Sequence, residues 1–381
     1  MRIAFIGDIV VKDKEVCLSD ELQMIFNNCD ICVCNFEAPI INLQNDKPII
    51  KAGPNIFQTE KGIELLKHIG INLVSLANNH ILDYGKNGLR NTICTLQKGE
   101  INFIGAGFSF QEAYKPYVIK SSTQSIAVIA CSHAEFGVYK QEKDTVGYSW
   151  VNHPEMNRNI AELKKQVDAV YVFVHAGLED EIYPLPEWRT RYKELIDVGA
   201  DCVIGSHPHI IQGYEVYKSR CIFYSLGNFY FENNNNDMEW NRSIAVICDT
   251  NNIQKTEIIP CVSRDNLIEI DKTKETQVDI KKRSMIFDNN DDYIQKIDDM
   301  AERLWKEYYA SFYKWNYPCI SDYTIKKLIK CIIKKILHKP FKIINESIID
   351  KTMLLHNIQI ETHRWIVERY LYNENKKRNN L

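Results

Sequence analysis

The sequence predicts an α/β fold, and three observations predict it. Short β-branched runs alternate with helix-like segments from Met1 to about Asp249, the order that builds parallel sheet with covering helices. Gly, Asn, Asp or His follows most of these runs, as expected where a strand gives way to a loop. Hydrophobic residues make up 45% of the chain and charged residues 25%, so a sizeable core is available and disorder is not expected.

The strand candidates, in order, are "RIAFIG", "ICVCNF", "NLVSLA", "NFIGA", "YVIKSS", "SIAVIA", "AVYVFVH", "DCVIGS", "CIFYSLGN" and "SIAVIC". Helix candidates between them include Thr59 to Gly70, Gly85 to Gly99 and Pro186 to Gly199, the last two ending at a glycine stop. The pair "YVIKSSTQSIAVIA" reads as an antiparallel hairpin, and Asn233 to Asn236 as an exposed loop. After about Asn290 the chain turns to long helix-like segments. With 381 residues it exceeds the usual domain of roughly 100 to 200. One large domain, 1–285, with a helical C-terminal region, 286–381, is expected.

Charge excludes little but is informative. A formal net charge of −3 and a pI near 6.4 give no global push toward nucleic acid, and none is expected as a partner. The twelve cysteines sit largely inside apolar runs, among them Cys32, Cys34, Cys131, Cys202 and Cys248, which reads as strand packing in a reduced, cytoplasmic chain. Cys32-x-Cys34 is the alternative thiolate pair, with no second pair at zinc-finger spacing. No secretory signal pattern precedes "MRIAFIGDIV", and no apolar run of about eighteen residues is present to span a membrane.

The stretch "GSHPHIIQG" follows the apolar run "DCVI". Proline restricts the residue before it, so His207 is expected to leave the strand extended, with His209 two residues on sharing its face. Both imidazoles would then enter one space; two solvated loop histidines are the alternative. Other strand ends carry similar residues: Asp8; Asn35 and Glu37; Asn78, Asn79, His80 and Asp83; His175 and Glu179; and Asn228. Taken singly these have plainer explanations, such as a helix cap for Asp8 or Asn79 and a satisfied buried imidazole for His175. The carboxyl ends of strands in an open α/β sheet form one rim, where ligands bind. Carboxylate, amide and imidazole together suit one or two borderline divalent ions, Mn²⁺, Fe²⁺ or Zn²⁺.

The motifs "GDIV", "NFEAPI", "ANNHILDYG", "HAGLED", "GSHPHIIQG" and "YSLGNFYF" occur in an order that resembles the CapA family, the capsule or poly-γ-glutamate synthesis proteins within the calcineurin-like metallophosphoesterases. The resemblance covers roughly Met1 to Asp249. It implies a four-layer αββα metallophosphoesterase-like sandwich carrying the helical C-terminal appendage. It implies that Asp8 binds one ion and Glu37 bridges two, that Asn79, His175 and His207 hold the second, and that His209 returns to the first. By the same resemblance His80 acts as an acid at the substrate, with Asp83 orienting it, and Asn35, Asn78, Glu179 and Asn228 line the pocket. Two departures stand out. Val10 replaces the histidine that follows the first aspartate in the parent phosphoesterases, and Glu37 stands where they carry aspartate. An outward-facing N-terminal anchor, found in many relatives, is not seen here.

Two classes of function follow. One is a metal-dependent hydrolase acting by metal-bound hydroxide on a phosphoester or related bond in a phosphorylated or polyanionic envelope precursor. The other is a non-catalytic accessory that binds metal and an anionic polymer or lipid precursor within the capsule assembly machinery. Cleavage or transfer at γ-glutamyl amide bonds is a third reading, resting on the family's name alone.

Ile325 to Ile344, "IKKLIKCIIKKILHKPFKII", carries seven lysines and no acid, with apolar residues at 325, 328, 329, 332, 333, 336 and 337. That spacing makes one apolar helical face beside a cationic one, the pattern of a helix lying on an anionic membrane surface at the inner face; a helix packed on its own domain with a solvated lysine face is the alternative, and the commoner one. Anionic vesicles should therefore retain the protein at low salt and release it at high salt, with Lys330→Glu plus Lys334→Glu abolishing retention. Retention indifferent to salt and to those changes would exclude the contact.

Overall fold

The computed structural model describes residues 1–141, 143–232, 237–250, 256–316 and 348–378. The lysine-rich segment 325–344 and the asparagine run at 233–236 lie outside the described residues. The chain forms two compact units, Met1–Ile49 with Gly53–Asn290, and Ile50–Ala52 with Asp291–Leu381.

The first unit begins β1 (Arg2–Val10), α1 (Asp20–Asn27), β2 (Ile31–Phe36), α2 (Lys61–Ile69), β3 (Leu73–Ser75), α3 (Gly85–Lys98) and β4 (Asn102–Ile104). It continues through β5 (Tyr117–Lys120), β6 (Ser125–Ser132), α4 (Pro154–Lys164), β7 (Ala169–His175), α5 (Pro186–Val198) and β8 (Cys202–Ser206). Then come β9 (Tyr214–Tyr217), β10 (Arg220–Phe223), β11 (Asn228–Phe231), β12 (Arg242–Asp249), β13 (Thr256–Arg264), β14 (Leu267–Ile270) and α6 (Glu275–Met285).

Two sheets result. In the first, β1 to β4 pair in parallel, β11 lies parallel to β1, and β12 to β14 extend the other side antiparallel. The second runs β9-β10-β8-β7-β6-β5, parallel across its middle and closed at one edge by the antiparallel β5–β6 hairpin. Every residue of β7, "AVYVFVH", is buried, as a parallel strand covered on both faces requires. The sheets meet face to face, with Phe5 of β1 5.5 Å from Tyr171 and 5.9 Å from Phe173 of β7 between ring centres. Helices α1 to α3 bury Leu22, Phe26, Leu66, Ile69, Leu89 and Leu96 in the core of the first sheet. Helices α4 and α5 cover β7 and β8 with Met156, Ile160, Trp188 and Tyr192. The architecture is the expected four-layer α/β sandwich.

The strand pattern differs from expectation, and "NFIGA" divides between β4 and the short strand Ala106–Gly107 of a small three-stranded sheet. "CIFYSLGN" is not one strand: β10 and β11 flank a crossing from the second sheet to the first. Strands β13 and β14 follow the last predicted one, and Pro260 sits inside β13 opposite Ile244, a proline that disguises the run as a loop.

The described residues of Asp291–Leu381 are helical. Helix α7 (Asn290–Leu304) passes through one π turn (Trp305–Tyr309) into α8 (Ala310–Asn316), and α9 (Ile348–Gln359) and α10 (Glu361–Arg378) follow. Trp305 stacks on Tyr370 at 4.5 Å, and Arg369 bonds Asp298 at 2.6 Å, joining α7 to α10. No described helix is long and apolar enough to cross a membrane.

Backbone contact sets the rim. A Cβ on Gly7 would lie 1.8 Å from the Gly227 carbonyl oxygen, and one on Gly205 would lie 2.0 Å from that of Tyr224. Each glycine lies within two residues of a candidate ligand, Asp8 or His207. Because the obstacle is backbone, Gly7→Ala should cost about 3 kcal/mol or more in urea unfolding, at the upper end of overpacking effects. A loss below about 1 kcal/mol would show that β1 and β11 can separate.

Candidate metal centre

Strand β1 runs beside β2 with Asp8 opposite Asn35, and beside β11 with Asp8 opposite Asn228. Asn35 Nδ2 lies 2.7 Å from Asp8 Oδ1 and 3.0 Å from His175 Nδ1. Asn78 Nδ2 donates to Asn35 Oδ1 at 3.2 Å and to the Phe36 carbonyl at 3.0 Å. Asn35 and Asn78 are fully buried, and these bonds hold the loop after β3 against the end of β2.

Several ligand-type atoms crowd one imidazole nitrogen. His175 Nε2 is 3.0 Å from Asn79 Oδ1, 3.1 Å from His207 Nδ1 and 3.5 Å from Glu37 Oε1. A ring nitrogen offers one proton or one lone pair, so hydrogen bonding does not account for three such neighbours. Atoms bound to one cation at about 2.0–2.2 Å sit roughly 3 to 3.5 Å apart, which is the spacing here. Glu37 is fully buried, and among the described residues neither of its carboxylate oxygens accepts a hydrogen bond. A buried carboxylate left in that condition is costly unless a positive charge faces it. Glu37 also belongs to two groups of ligand atoms lying within 4.8 Å of one another, Glu37–His175–His207 and Asp8–Glu37–His209. The buried acids and imidazoles form a set fit for divalent cations, with Glu37 common to both groups.

Electrostatics sort the histidines. Burial alone would push the His175 imidazole down, but the carboxylates of Glu37 and Asp8, each 3.5 Å from one of its ring nitrogens, raise it to about 10. His209 is raised by Glu37, Glu179 and Asp8 against the same burial penalty. His207 falls well below its ordinary value, through burial and then through its neighbours His133, His175, His209 and His80. For Asp8, burial opposes ionisation, yet the His175 bond and charge, the His209 charge and the Asn35 bond hold it below the ordinary value. A proton on His175 and a cation among the same atoms answer the same carboxylates, so the two compete.

The remaining candidates divide by exposure. His80 Nδ1 lies 2.7 Å from Asp83 Oδ2, both buried, and Asp83 Oδ2 also accepts from Ile56 N at 2.7 Å, which fixes the carboxylate. Asn228 Oδ1 is 3.0 Å from His209 Nδ1, and its Nδ2 donates to the Trp240 carbonyl at 3.3 Å. Glu179 is exposed, with a carboxylate oxygen within 4.8 Å of the nitrogens of His207 and His209. His207 corrects one expectation: it is not extended but has φ +99°, and His209 has φ +62°. Proline disfavours the right-handed helical region for the residue before it without forbidding positive φ, and the His207 N–H donates to Asp8 Oδ2 at 3.2 Å. Both imidazoles still reach the centre.

Sequence reasoning missed three residues. His133 and Glu135 follow β6 in "CSHAEF", the same strand-then-polar signal that identified the others. Trp240, stacked on His209 at 4.9 Å, carried no motif.

The family model "Bacterial capsule synthesis protein PGA_cap" matches residues 2–233, more than half of the chain and every candidate ligand of the centre. The chain belongs to this family. It is 32% identical over 222 residues to "Capsule biosynthesis protein CapA" of Bacillus anthracis, covering 57% of this chain and 53% of that protein. It is 30% identical over 253 residues to "PGA biosynthesis protein CapA" of Bacillus subtilis strain 168, covering 64% of this chain and 65% of that one. The chain thus spans less than two thirds of either relative's own length. A solved phosphatase of Mycoplasma pneumoniae is similar at 15% identity and a TM-score of 0.39, covering 69% of this chain and 93% of that one.

The raised pKa of His175 makes a prediction for chelator-treated protein. Its ordinary value is 6.5 and its folded value about 10, so the stabilisation is complete below 6.5 and lost as pH rises through about 10. His207, held neutral, adds nothing in that window. The stability advantage of wild type over His175→Gln should shrink there by a few kcal/mol, read from chemical denaturation at stepped pH. An advantage constant across that window would refute the assigned pairing with Glu37 and Asp8.

Proposed function

We propose that this member of the PGA_cap family is a metal-dependent hydrolase of capsule or cell-envelope polymer synthesis, acting on a phosphoester or related bond of a polyanionic precursor. One observation carries the reading: the buried Glu37 carboxylate, without a hydrogen-bond donor among the described residues, stands 3.5 Å from His175 Nε2 and 3.8 Å from His209 Nε2. Asp8, Glu37 and His209 would hold one divalent ion, and Glu37, Asn79, His175 and His207 the other, with manganese, iron or zinc the suited metals. Such ions would supply Lewis acidity and acidify water at neutral pH.

The chain's own groups do the rest. Asp83 accepts from His80 Nδ1, which leaves Nε2 as the nitrogen that exchanges a proton with the leaving group. Asn35 and Asn78 hold Asp8 and His175 in register, and Asn228 fixes the ring of His209. Exposed Glu179, beside His207 and His209, would line the substrate side of the centre. The names of the Bacillus relatives supply the capsule and poly-γ-glutamate context.

Val10 favours the accessory reading as the second. It is fully buried in register with Phe231 and offers no ligand atom. The same protein would then bind metal and an anionic precursor without turning it over.

His80→Ala should reduce hydrolysis of chromogenic phosphomonoesters and phosphodiesters by about 10²- to 10⁴-fold, the usual worth of a general acid. Metal content by plasma mass spectrometry should stay at the wild-type level. Unchanged turnover would remove His80 from the mechanism. Metal and polymer binding with no turnover by wild type would establish the accessory reading.

A further inference from the structure

The centre described above uses the side of His207 that faces His175. A second group of ligand side chains stands against the same imidazole. Strand β6 pairs with β7 so that Ser132 lies opposite His175, and Ser132 Oγ donates to the His175 carbonyl at 2.7 Å. The chain then turns, and Tyr148 clamps the turn: Glu135 N donates to its Oη at 2.9 Å, and that Oη donates to the His133 carbonyl at 3.2 Å. The turn brings the His133 ring to 4.4 Å from that of His207, between centres, and sets His133 Nε2 2.7 Å from Glu135 Oε1. Trp188 packs on the His133 ring at 5.9 Å. His133, Glu135 and His207 each offer a ligand atom within 4.8 Å of the other two. They are 0%, 7% and 2% exposed, so no solvated face accounts for the grouping.

We propose that His133, Glu135 and His207 form a further divalent-cation site, distinct from the Asp8–Glu37 centre and joined to it through His207. An imidazole has two ring nitrogens; His207 Nδ1 lies 3.1 Å from His175 Nε2, which leaves Nε2 for the His133 side, and with ions on both sides the ring would bind as an imidazolate, its N–H proton released to solvent. Two imidazoles and one carboxylate are a donor set that binds zinc or a similar borderline ion and keeps a coordination position open. A His133–Glu135 ion pair alone explains two of the three residues but not the third imidazole held against them. The clamp on Tyr148 matters because a site built on a turn needs its backbone fixed before its side chains can converge. The inference requires a metal at this position and not hydrolysis, so it stands apart from the functional reading above.

The test uses the full chain, stripped with chelator and loaded with micromolar Zn²⁺ alone. Anomalous difference maps at the zinc edge should show a peak within bonding distance of His133, Glu135 and His207. Glu135→Gln, close to isosteric, and His133→Ala should each remove that peak and lower the bound zinc by about one ion per chain. Glu37→Gln should weaken the peaks of the main centre and leave this one, which separates failure of this site from failure of the main centre. Zinc found only among Asp8, Glu37, His175 and His209, or a Glu135→Gln variant with unaltered stoichiometry, would overturn the proposal.

Discussion

The Asp8 carboxylate ties the two sheets together, and the geometry of the rim depends on it. One oxygen accepts from Asn35 on the neighbouring strand of its own sheet, and the other accepts from the His207 backbone at the end of the second sheet. The faces of the two sheets adhere through Phe5, Tyr171, Phe173 and their neighbours, an attraction that is strong but has no direction. Apolar contact alone would tolerate a small slide of one sheet on the other. Hydrogen bonds to a charged group contribute only about 1.5–3 kcal/mol each, far less than the core, yet they are directional and settle which register prevails.

The same constraint explains where the backbone departs from ordinary conformations. His207 and His209, Ala38 next to Glu37, and Asp180 next to Glu179 all have φ between +62° and +133°. Non-glycine residues in that region cost about 1–3 kcal/mol each and persist only where the surroundings hold them. At His207 the holding group is Asp8; at His209 it is Asn228 on one side and the Trp240 ring on the other. Strand β1 also shifts register at Asp8 against both β2 and β11. Backbone irregularity in the strand and in the loops beside it thus falls on the residues that carry ligand side chains, which marks a rim fixed in place before anything binds to it.

Much of this was legible in the sequence because the α/β pattern and the ligand positions share one cause. Strand runs such as "AVYVFV" end where polarity begins, so His175, His207 and the residues after "NLVSLA" were found together with the strands that carry them. The same logic fell short where tertiary contact overrides local preference. Pro208 argues for an extended His207, and the Asp8 bond wins. Pro260 argues against a strand, and pairing with Ile244 wins. His133 and Glu135 carried the right local signal, but only the turn clamped by Tyr148 shows that they meet His207. Trp240 gave no signal, since its contact with His209 exists only in three dimensions.

The distribution of donors across the rim has a chemical consequence. Val10 is in register with Phe231, whose ring packs 5.2 Å from that of His209, so this part of β1 backs an apolar wall and leaves Asp8 as its contribution. The Asp8–Glu37–His209 group is therefore rich in carboxylate, whereas nitrogen predominates on the side of His133, His175 and His207. Harder cations favour oxygen donors and borderline ones favour imidazole, so two ions placed across this rim would not be equivalent. Glu37 sits between the two characters, and its carboxylate is the group through which a charge on one side is felt on the other. That position, more than the number of ligands, makes Glu37 the residue on which the electrostatics of the whole centre turn.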